Sequence, residues 1–537
     1  MTAPLKEEID QSLRQLFHGM DIPWMLEQWA SKTPDKVCLY FCPFEGAVKA
    51  YTYSDLLESA RSLASGLYDQ GVRPGNFVIL HMDNSSEFII SWYACAVLGA
   101  VAVSTNTRSV GRDLSYFAEV TEAVYVLTQP MYARMIRQAC PELAIALTDN
   151  NSGEEAANHL AIQDEVGGLA FSSLFSSSLY GRRNAPVPED NLSVQFTSGT
   201  TSRPKAVLWT HANGLWAGRI TAQHLKLRAD DVTLIYMPLF HTNAQAYSML
   251  ATHWSGGTIV VQPKFSASRF WQACLEFQVT WASMIPFSVK ALMDRPVPKH
   301  HMRFWGLGAH VPELGSHFGV DTLGWWGMTE TLTQGTIVDF AHLGPMGTIG
   351  RVAPEYEIQI RDDEGKPLSS SGKGQLYIRG VRGVSLFKEY YRNSEANDAV
   401  FDGNGWFDTG DVVNVDEAGW LFFSDRSKDM LKVGAENVAA SEVESVVGLS
   451  GLVAECAVVG QKHYMLDEVP VVFVIPSTSA REMTSAEIEA SIIELCAENL
   501  PDFKVVRSVH IVDELPRSTL EKVAKNILRN RLPEITS

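Results

Sequence analysis

The sequence predicts a multidomain protein of mixed α/β and α+β class, and three observations support this prediction. Its 537 residues are more than a single ordinary core accommodates. Apolar strands alternate with helical patterns in the first part of the chain, and Gly-rich hairpin patterns follow after about residue 345. We therefore expect a large N-terminal domain of α/β subdomains plus an antiparallel β subdomain, followed by a small C-terminal α+β domain.

The alternating part begins with a helical pattern, SDLLESARSLASGLYDQG, which Gly71 closes, and with the strand NFVILHM. Residues 88–103 (FIISWYACAVLGAVAV) are fewer than the roughly 20 of a membrane span, so they predict a buried helix and a strand. Further strands are predicted at 123–128, 232–240 and 258–263. This alternation is typical of a largely parallel sheet covered by helices.

The later part of the chain has a different texture. The segment EIQIRDDEGKPLSSSGKGQLYIRG predicts antiparallel hairpins. From about residue 426 the helix SAEIEASIIELCAENL alternates with the strands ECAVVG, PVVFVI and SVHIVD. We place the domains at 1–425 and 426–537, with the charged segment 424–434 (SDRSKDMLKVG) as the hinge.

Composition excludes several classes of function. With 46% hydrophobic and 20% charged residues the chain is globular, and its net charge of -18 argues against a nucleic-acid surface. The N-terminal segment lacks a basic region followed by an apolar one, so we predict no secretory signal and a cytoplasmic protein. The seven scattered cysteines form no CxxC pair and predict small buried apolar side chains.

The stretch QFTSGTTSRPKAV, residues 195–207, carries the strongest chemical signal. Its hydroxyls, its approachable backbone amides and the ammonium of Lys205 are groups that bind a polyphosphate. The order of residues differs from that of a Walker A loop. A Ser/Thr-rich surface turn is the alternative, and these residues alone leave both interpretations open.

Two further stretches suggest parts of a nucleotide site. In GWWGMTET, residues 324–331, the ring of Trp326 suits a purine, and a carboxylate such as Glu330 beside phosphates needs a divalent cation. The alternative to purine binding is that Trp326 simply packs in the core. For Trp325 core packing is the favoured interpretation. In GWFDTGDV, residues 405–412, Asp411 is a natural acceptor for a vicinal diol, or else an ordinary turn residue.

These stretches, with FFSDRSKDMLKVGAENVAASEVE (422–444) and LPRSTLEKVAKN (515–526), occur in the order found in the adenylate-forming superfamily. The chain resembles its acyl-CoA synthetase, or AMP-dependent CoA ligase, branch over residues 50 to 525 or so. The resemblance implies that ATP, with Mg²⁺, activates a carboxylic acid as an acyl-adenylate, and that CoA then takes the acyl group. It also implies that the C-terminal domain moves about the hinge residue Lys428 between these steps.

The resemblance assigns nucleotide binding to a set of residues along the chain. They are Thr197, Ser198, Gly199, Thr200, Thr201, Lys205, Gly308, Ala309, His310, Trp326, Gly327, Met328, Asp411, Phe423 and Arg426.

The other implied roles are catalysis, metal binding, CoA binding and the acyl pocket. The catalytic groups are Lys522, Thr329, Glu330 and His241, and Glu330 also holds the metal. The CoA tunnel is assigned to Gly434, Ala435 and Glu436, and the acyl pocket to Phe240, His241, Asn243 and Trp325. Lys525 is the alternative to Lys522. The chain differs from the family pattern where glycine is usual, at Ser202, Ala206, Ala435 and Glu521, and where tyrosine is usual, at Trp326.

Several alternatives remain open at this point. The acyl-adenylate could be delivered to a carrier protein, an oxygenase of the luciferase kind could use the same adenylation, or the protein could bind nucleotide and acid without catalysis. The segments MPLFHTNAQ and KVGAENVAASEVE most resemble those of medium- or long-chain fatty-acyl and carnitine-type ligases. We expect small-molecule partners, no nucleic acid, no membrane span and a homodimer.

Overall fold

The computed structural model describes residues 11–13, 15–156, 158–181, 185–197, 203–362, 364–426, 430–434, 436–480, 483–516, 523 and 525–533. The α-helices are α1 (Ile22–Lys32), α2 (Tyr53–Asp69), α3 (Ser86–Leu98), α4 (Gly111–Thr121), α5 (Pro130–Ala139), α6 (His159–Val166), α7 (His211–His224), α8 (Ala251–Trp254), α9 (Phe270–Glu276), α10 (Pro286–Met293), α11 (Pro312–Phe318), α12 (Ser394–Val400), α13 (Ala440–Gly448), α14 (Ser485–Asn499) and α15 (Lys525–Arg529). A π-helix, Asn243–Leu250, runs directly into α8.

The strands follow the same chain order. They are β1 (Val37–Phe41), β2 (Lys49–Thr52), β3 (Phe77–His81), β4 (Val101–Ser104), β5 (Tyr125–Thr128), β6 (Ala144–Leu147), β7 (Asn150–Asn151), β8 (Glu154–Glu155), β9 (Leu169–Ala170), β10 (Asn191–Thr197), β11 (Lys205–Thr210), β12 (Val232–Ile235), β13 (Thr258–Val261), β14 (Trp281–Ser283), β15 (Phe304–Leu307), β16 (Asp321–Trp326), β17 (Thr336–Ile337), β18 (Arg351–Val352), β19 (Glu357–Arg361), β20 (Gly372–Arg379), β21 (Glu389–Tyr390), β22 (Trp406–Val415), β23 (Leu421–Arg426), β24 (Met430–Val433), β25 (Glu436–Ala439), β26 (Val453–His463), β27 (Asp467–Pro476) and β28 (Ser508–Ile511).

The apolar run predicted to be a buried helix and a strand forms α3 and β4. Ser85 caps α3 by accepting from the Phe88 amide, and Gly99 ends the helix at φ +80°, a conformation that favours glycine. All residues of α3 except Glu87 and Val97 are buried. Among the described residues no helix combines the length and apolar character that a membrane span requires.

A nine-stranded sheet among the described residues has the order β18-β17-β16-β15-β14-β12-β13-β1-β2. The strands from β16 to β1 in this order run parallel to one another, while β2, β17 and β18 are antiparallel additions at the two edges. The carboxyl ends of β12, β14, β15 and β16 therefore meet along one edge of the sheet.

An eight-stranded sheet of described residues has the order β21-β11-β10-β4-β3-β5-β6-β9. It is parallel from β10 to β9, whereas β11 and β21 are antiparallel. The two sheets and their helices confirm the predicted parallel α/β architecture.

Strands β7 and β8 form a two-stranded sheet, and two further sheets confirm the two other predicted units. Strands β19, β20, β22 and β23 form an antiparallel sheet in the region where the sequence predicts hairpins. Strands β24 to β28 form a C-terminal sheet, which packs with α13 and α14 around a separate apolar core. The proposed domain boundary stays a prediction, and the hinge residue Lys428 lies outside the described residues.

The strand predicted at 232–240 is shorter than expected, since β12 ends at Ile235. The amide side chain of Asn84 diverts the backbone beyond it, donating to the Met237 carbonyl at 2.9 Å and accepting from the Leu239 amide at 2.7 Å. The chain then turns, and the His241 amide donates to the Pro238 carbonyl at 3.0 Å. A side chain from another part of the fold thus ends the strand early.

The cysteines occupy the positions that their apolar character predicts. All seven are free thiols, and all except Cys456 are fully buried. Burial raises the pKa of Cys42 and of Cys95 to about 12, so neither is a thiolate near neutral pH.

Candidate active site

Segments that follow three parallel strands meet at one edge of the nine-stranded sheet. The turn Phe240–His241 follows β12, Gly308–His310 follows β15, and Gly327–Glu330 follows β16. Parallel strands gather sequence-distant segments in this way because their carboxyl ends share an edge. The fold therefore brings together predicted nucleotide-binding and predicted acid-binding residues.

The predicted phosphate loop is a hairpin connection between β10 and β11. Thr197 and Lys205 are cross-strand partners at its two ends, so the loop leaves and returns at one place. Ser198, Gly199, Thr200 and Thr201 lie outside the described residues.

Tyr390 contacts both Lys205, through its ring, and Glu330, through its hydroxyl. The Lys205 ammonium is 4.4 Å from the centre of the Tyr390 ring, and the Tyr390 hydroxyl donates to Glu330 Oε1 at 2.8 Å. Glu330 is only 4% exposed. Burial, reinforced by the neighbouring Glu330 carboxylate, raises the pKa of Tyr390 well above its ordinary value, so the phenol stays protonated and donates. Sequence reasoning missed Tyr390, because KEYYRN contains no pattern that marks it.

A buried polar network supports Thr329. Thr242 Oγ1 lies 3.0 Å from Thr329 Oγ1 and 2.6 Å from Gln195 Oε1. The Gln195 side-chain amide donates to Gln245 Oε1 at 3.0 Å, and Gln245 donates to Ser104 Oγ at 3.2 Å. The network connects β10, which leads into the phosphate loop, with the π-helix and with Thr329. Gln245 therefore belongs to this network.

Trp326 and Asp411 are in direct contact. The indole Nε1 donates to Asp411 Oδ2 at 2.8 Å, with the two residues only 6% and 2% exposed. Trp326 ends β16 and Asp411 belongs to β22, so the bond joins the parallel sheet to the antiparallel one. The predicted purine-binding and ribose-binding residues are thus neighbours.

Close packing surrounds the segment after β16. A Cβ atom at Gly327 would lie 2.4 Å from the Tyr247 hydroxyl and 2.7 Å from the Thr333 carbonyl, so only glycine fits there. The Tyr247 ring meets Trp325 edge to face at 6.2 Å. Trp325 also covers Gly306, where a Cβ atom would be 1.6 Å from its ring. Trp325 is therefore packed between β15 and the π-helix, while Met328 is partly buried against the same core.

The segment after β15 has an open part and an anchored part. A Cβ atom at Gly308 would meet nothing within 4 Å, which leaves room beside this backbone. His310 is buried, and its Nδ1 lies 2.6 Å from the Thr322 carbonyl oxygen. The His310 ring thus anchors the segment to β16, and the open surface belongs to Gly308 and its neighbour Ala309.

A contact between the two predicted domains involves His241. Its Nε2 is 3.1 Å from both carboxylate oxygens of Glu436, to which the Asn106 side chain also donates at 3.3 Å. Burial opposes charge on Glu436, but His241, Arg108 and Lys504 together hold its pKa below the ordinary value. The predicted CoA-tunnel residue and the predicted acyl-pocket wall are therefore bonded to each other.

Other predicted residues of this region are only partly described. Gly434 turns the chain at φ +62°, and its amide donates to the Leu466 carbonyl at 2.7 Å. The Lys432 ammonium lies over the Phe423 ring, 4.9 Å from the ring centre. Lys525, the alternative to Lys522, forms an ion pair with Glu444 at 2.7 Å. Ala435, Lys428, Lys522 and the side chain of Arg426 lie outside the described part of the chain.

Two family models match most of the chain. The model of the AMP-binding enzyme family matches residues 26–391, and that of the AMP-binding enzyme C-terminal domain matches residues 442–522. The chain is 33% identical over 532 residues to a crotonobetaine/carnitine–CoA ligase of Salmonella choleraesuis, covering 95% of this chain and 99% of that one.

Solved structures share the fold. The chain resembles the Bacillus subtilis o-succinylbenzoate CoA synthetase bound to its product analogue, with a TM-score of 0.81, 24% identity and coverage of 96% and 100% of the two chains. The same enzyme in complex with AMP gives a TM-score of 0.66, with 23% identity and coverage of 96% and 99%. The overall arrangement of this chain is nearer to the former complex. The chain belongs to the AMP-binding enzyme family and, within it, to the AMP-forming acyl-CoA synthetases.

Proposed function

We propose that this chain converts a bulky acid with a polar, carnitine-like end into its CoA thioester. First, a carboxylate oxygen bonds to the α-phosphorus of ATP as the bond from that phosphorus to the bridging oxygen breaks and pyrophosphate leaves. The CoA sulfur then bonds to the acyl carbon, its proton passes to solvent, and the carbon–oxygen bond to AMP breaks. One observation carries the proposal. Tyr390 contacts both Lys205 and Glu330, and Trp326, four residues before Glu330, bonds to Asp411.

Phosphate binding falls to the hairpin between Thr197 and Lys205. Its ends, Thr197 and Lys205, are cross-strand partners, and the hydroxyls of the segment between them are groups that bind a polyphosphate. Thr329, fixed by its contact with Thr242, would donate to the phosphate region. We assign to Lys522 the stabilisation of the negative charge that develops as pyrophosphate leaves.

The residues around Glu330 fit a magnesium ion. Mg²⁺ prefers six oxygen ligands, several of them water and substrate phosphates, and needs only one or two carboxylates from the protein. Glu330 is a buried carboxylate held by Tyr390 and lies near the Lys205 end of the phosphate loop. The ion would neutralise phosphate charge, while Glu330 fixes its place in the site.

The nucleoside is assigned to the segments after β15 and β16. The open backbone at Gly308 would leave space for a purine, and the indole of Trp326 would supply an aromatic face. The Asp411 carboxylate would accept hydrogen bonds from the ribose hydroxyls, as its burial against that indole supports.

CoA is the acceptor that the domain contact favours. Glu436 reaches from the C-terminal region to His241, beside the predicted acyl pocket, and Gly434 turns the chain immediately before it. This arrangement supports a thioester-forming pose in which 434–436 lines a tunnel for pantetheine. Delivery to a carrier protein is the alternative, and AMP release that depends on free CoA separates the two acceptors.

An aliphatic chain in the predicted acyl pocket would leave a polar atom of Asn243 unsatisfied. Asn243 begins the π-helix next to Phe240 and His241, and its Oδ1 is buried without a hydrogen-bond partner among the described residues. A buried polar atom left in this state costs about 1–3 kcal/mol. Tyr247, one turn later in the same helix, meets Trp325. A bulky acid with a polar group fits this lining better than a straight fatty chain does.

An acid screen tests this function. Purified protein is assayed for CoA-dependent AMP release with carnitine, a related hydroxy or betaine acid, and unbranched fatty acids of matched length. We expect higher kcat/KM for the polar acids, and N243L should shift the preference toward fatty acids by about tenfold, equivalent to about 1.4 kcal/mol. N158L, at an exposed asparagine whose side chain caps nothing, is the control. A wild-type preference for fatty acids, or no shift in N243L, contradicts the polar-acid proposal.

Two further proposals concern the protein as a whole. We place it in the cytoplasm, as seven free thiols support. A homodimer stays a prediction, which light scattering of the purified protein tests.

Loss of carboxylate-dependent pyrophosphate release in K522A would separate an enzyme from a protein that only binds nucleotide and acid.

A further inference from the structure

The indole of Trp326 is held at two opposite edges. A Cβ atom at Gly335 would lie 2.7 Å from Cζ3 of the indole, and the Gly335 amide donates to the Trp326 carbonyl at 2.9 Å. The opposite edge carries Nε1, which donates to Asp411 Oδ2 at 2.8 Å. A ring confined in this way presents its N–H at one position.

Asp411 is buried at the end of that bond. It follows Gly410, which adopts φ +70°, and the Asp411 amide is 3.1 Å from Thr409 Oγ1. A carboxylate accepts at about four lone-pair positions, and the bond from Trp326 takes one of them. Hydrogen bonds to charged acceptors are stronger than neutral ones and fix the orientation of the carboxylate.

We propose that Trp326 is a positioning residue, whose N–H orients Asp411 for recognition of the ribose diol. The inference deepens the proposed function and rests on the role assigned there to Asp411. A residue that only stacks on the purine needs an aromatic face and no donor. The direct bond to Asp411 gives Trp326 a second role, specificity for the sugar.

The test compares ATP with 2′-deoxyATP and 3′-deoxyATP in acid-dependent pyrophosphate release by the full chain. Wild-type protein should favour ATP over each analogue. W326F keeps an aromatic ring and removes the donor, so it should raise KM for ATP about tenfold and reduce the preference for ATP over the deoxy analogues by a similar factor. KM for the acid should stay within about twofold, because acid binding does not involve the bond.

Variants at Asp411 separate failure of this inference from failure of the proposed function. D411N should abolish the preference for ATP over the deoxy analogues, and adding W326F to D411N should reduce it no further. If D411N keeps the preference, the ribose role of Asp411 fails. If D411N abolishes it while W326F retains it in full, Asp411 binds the ribose and the positioning role of Trp326 is wrong. W326Y, which carries a phenol hydroxyl in place of the indole N–H, serves as the second variant, and circular dichroism checks that each variant is folded.

Discussion

His241 Nε2 lies 3.1 Å from both carboxylate oxygens of Glu436, although 195 positions separate the two residues in the sequence. The bond joins the edge of the nine-stranded sheet to the C-terminal sheet. Such a contact exists only while the C-terminal region is held against that edge. It therefore links the predicted acid-binding end of the site to one position of the C-terminal region.

E436Q should impair the CoA-dependent step more than adenylation. The amide cannot replace the charge on Glu436, so we expect acyl-CoA formation to fall at least about tenfold more than pyrophosphate release does. Single-turnover measurements of each half-reaction distinguish the two. E417Q, at an exposed glutamate, is the matched control. Equal loss in both half-reactions would show that the contact has no special part in thioester formation.

E330Q should raise the magnesium concentration needed for half-maximal pyrophosphate release by about tenfold or more, because a neutral amide binds Mg²⁺ more weakly than a carboxylate does. Y390F, which removes the hydroxyl that donates to Glu330, should have a smaller effect in the same direction. A magnesium titration at saturating ATP measures both. An unchanged requirement in E330Q would exclude Glu330 as a ligand.

G327A should destabilise the protein. The added methyl group would meet the Tyr247 hydroxyl at 2.4 Å, and overpacking of this kind costs about 1–3 kcal/mol. Urea unfolding measures the loss. G403A is the control, since a Cβ atom at Gly403 would meet nothing within 4 Å. Equal unfolding midpoints for the two variants would contradict the packing described for Gly327.

K504M should destabilise the C-terminal region by about 3–5 kcal/mol, the usual cost of leaving one partner of a buried ion pair alone. Lys504 Nζ lies 2.7 Å from Glu442 Oε1, and each side chain is only 9% exposed. The double variant K504M/E442L should recover most of the loss, as thermal unfolding would reveal. A double variant less stable than K504M would imply that Glu442 has another essential partner.

The pair of His224 and Glu355 should make stability depend on pH. His224 Nε2 lies 2.9 Å from Glu355 Oε2, and although burial opposes its charge, the contact with His224 holds the pKa of Glu355 below the ordinary value. A lowered pKa in the folded state means that the contribution is complete above the unfolded value and is lost as pH falls through the folded one. Free energies of unfolding measured as pH falls from about 5 to about 3 should therefore decline less steeply for E355Q. Parallel curves would contradict this.

Much of the fold followed from local patterns. The apolar run forming α3 and β4, and the hairpin segment forming β19 and β20, each carry their own periodicity and turn residues. Pro238 cannot donate to a strand ladder and argues against a strand that reaches residue 240. The contact with Asn84 was not predictable, because Asn84 is far away in the chain and bonds the Met237 carbonyl and the Leu239 amide only in the folded state.

The candidate site divides in the same way. Short motifs predicted Lys205, Glu330 and Asp411 as site residues, because the motifs contain suitable residue types and occur in the order found in one family. Tyr390 was missed, because nothing in its neighbours marks the contact that it makes with Glu330.

The sequence by itself determined the reaction class, because its short motifs occur in the order found in one family of enzymes. Only the tertiary structure decided which of these residues touch: Trp326 donates to Asp411 across 85 positions of sequence, and His241 pairs with Glu436. Such contacts depend on how whole sheets pack. No local pattern of residues encodes that geometry.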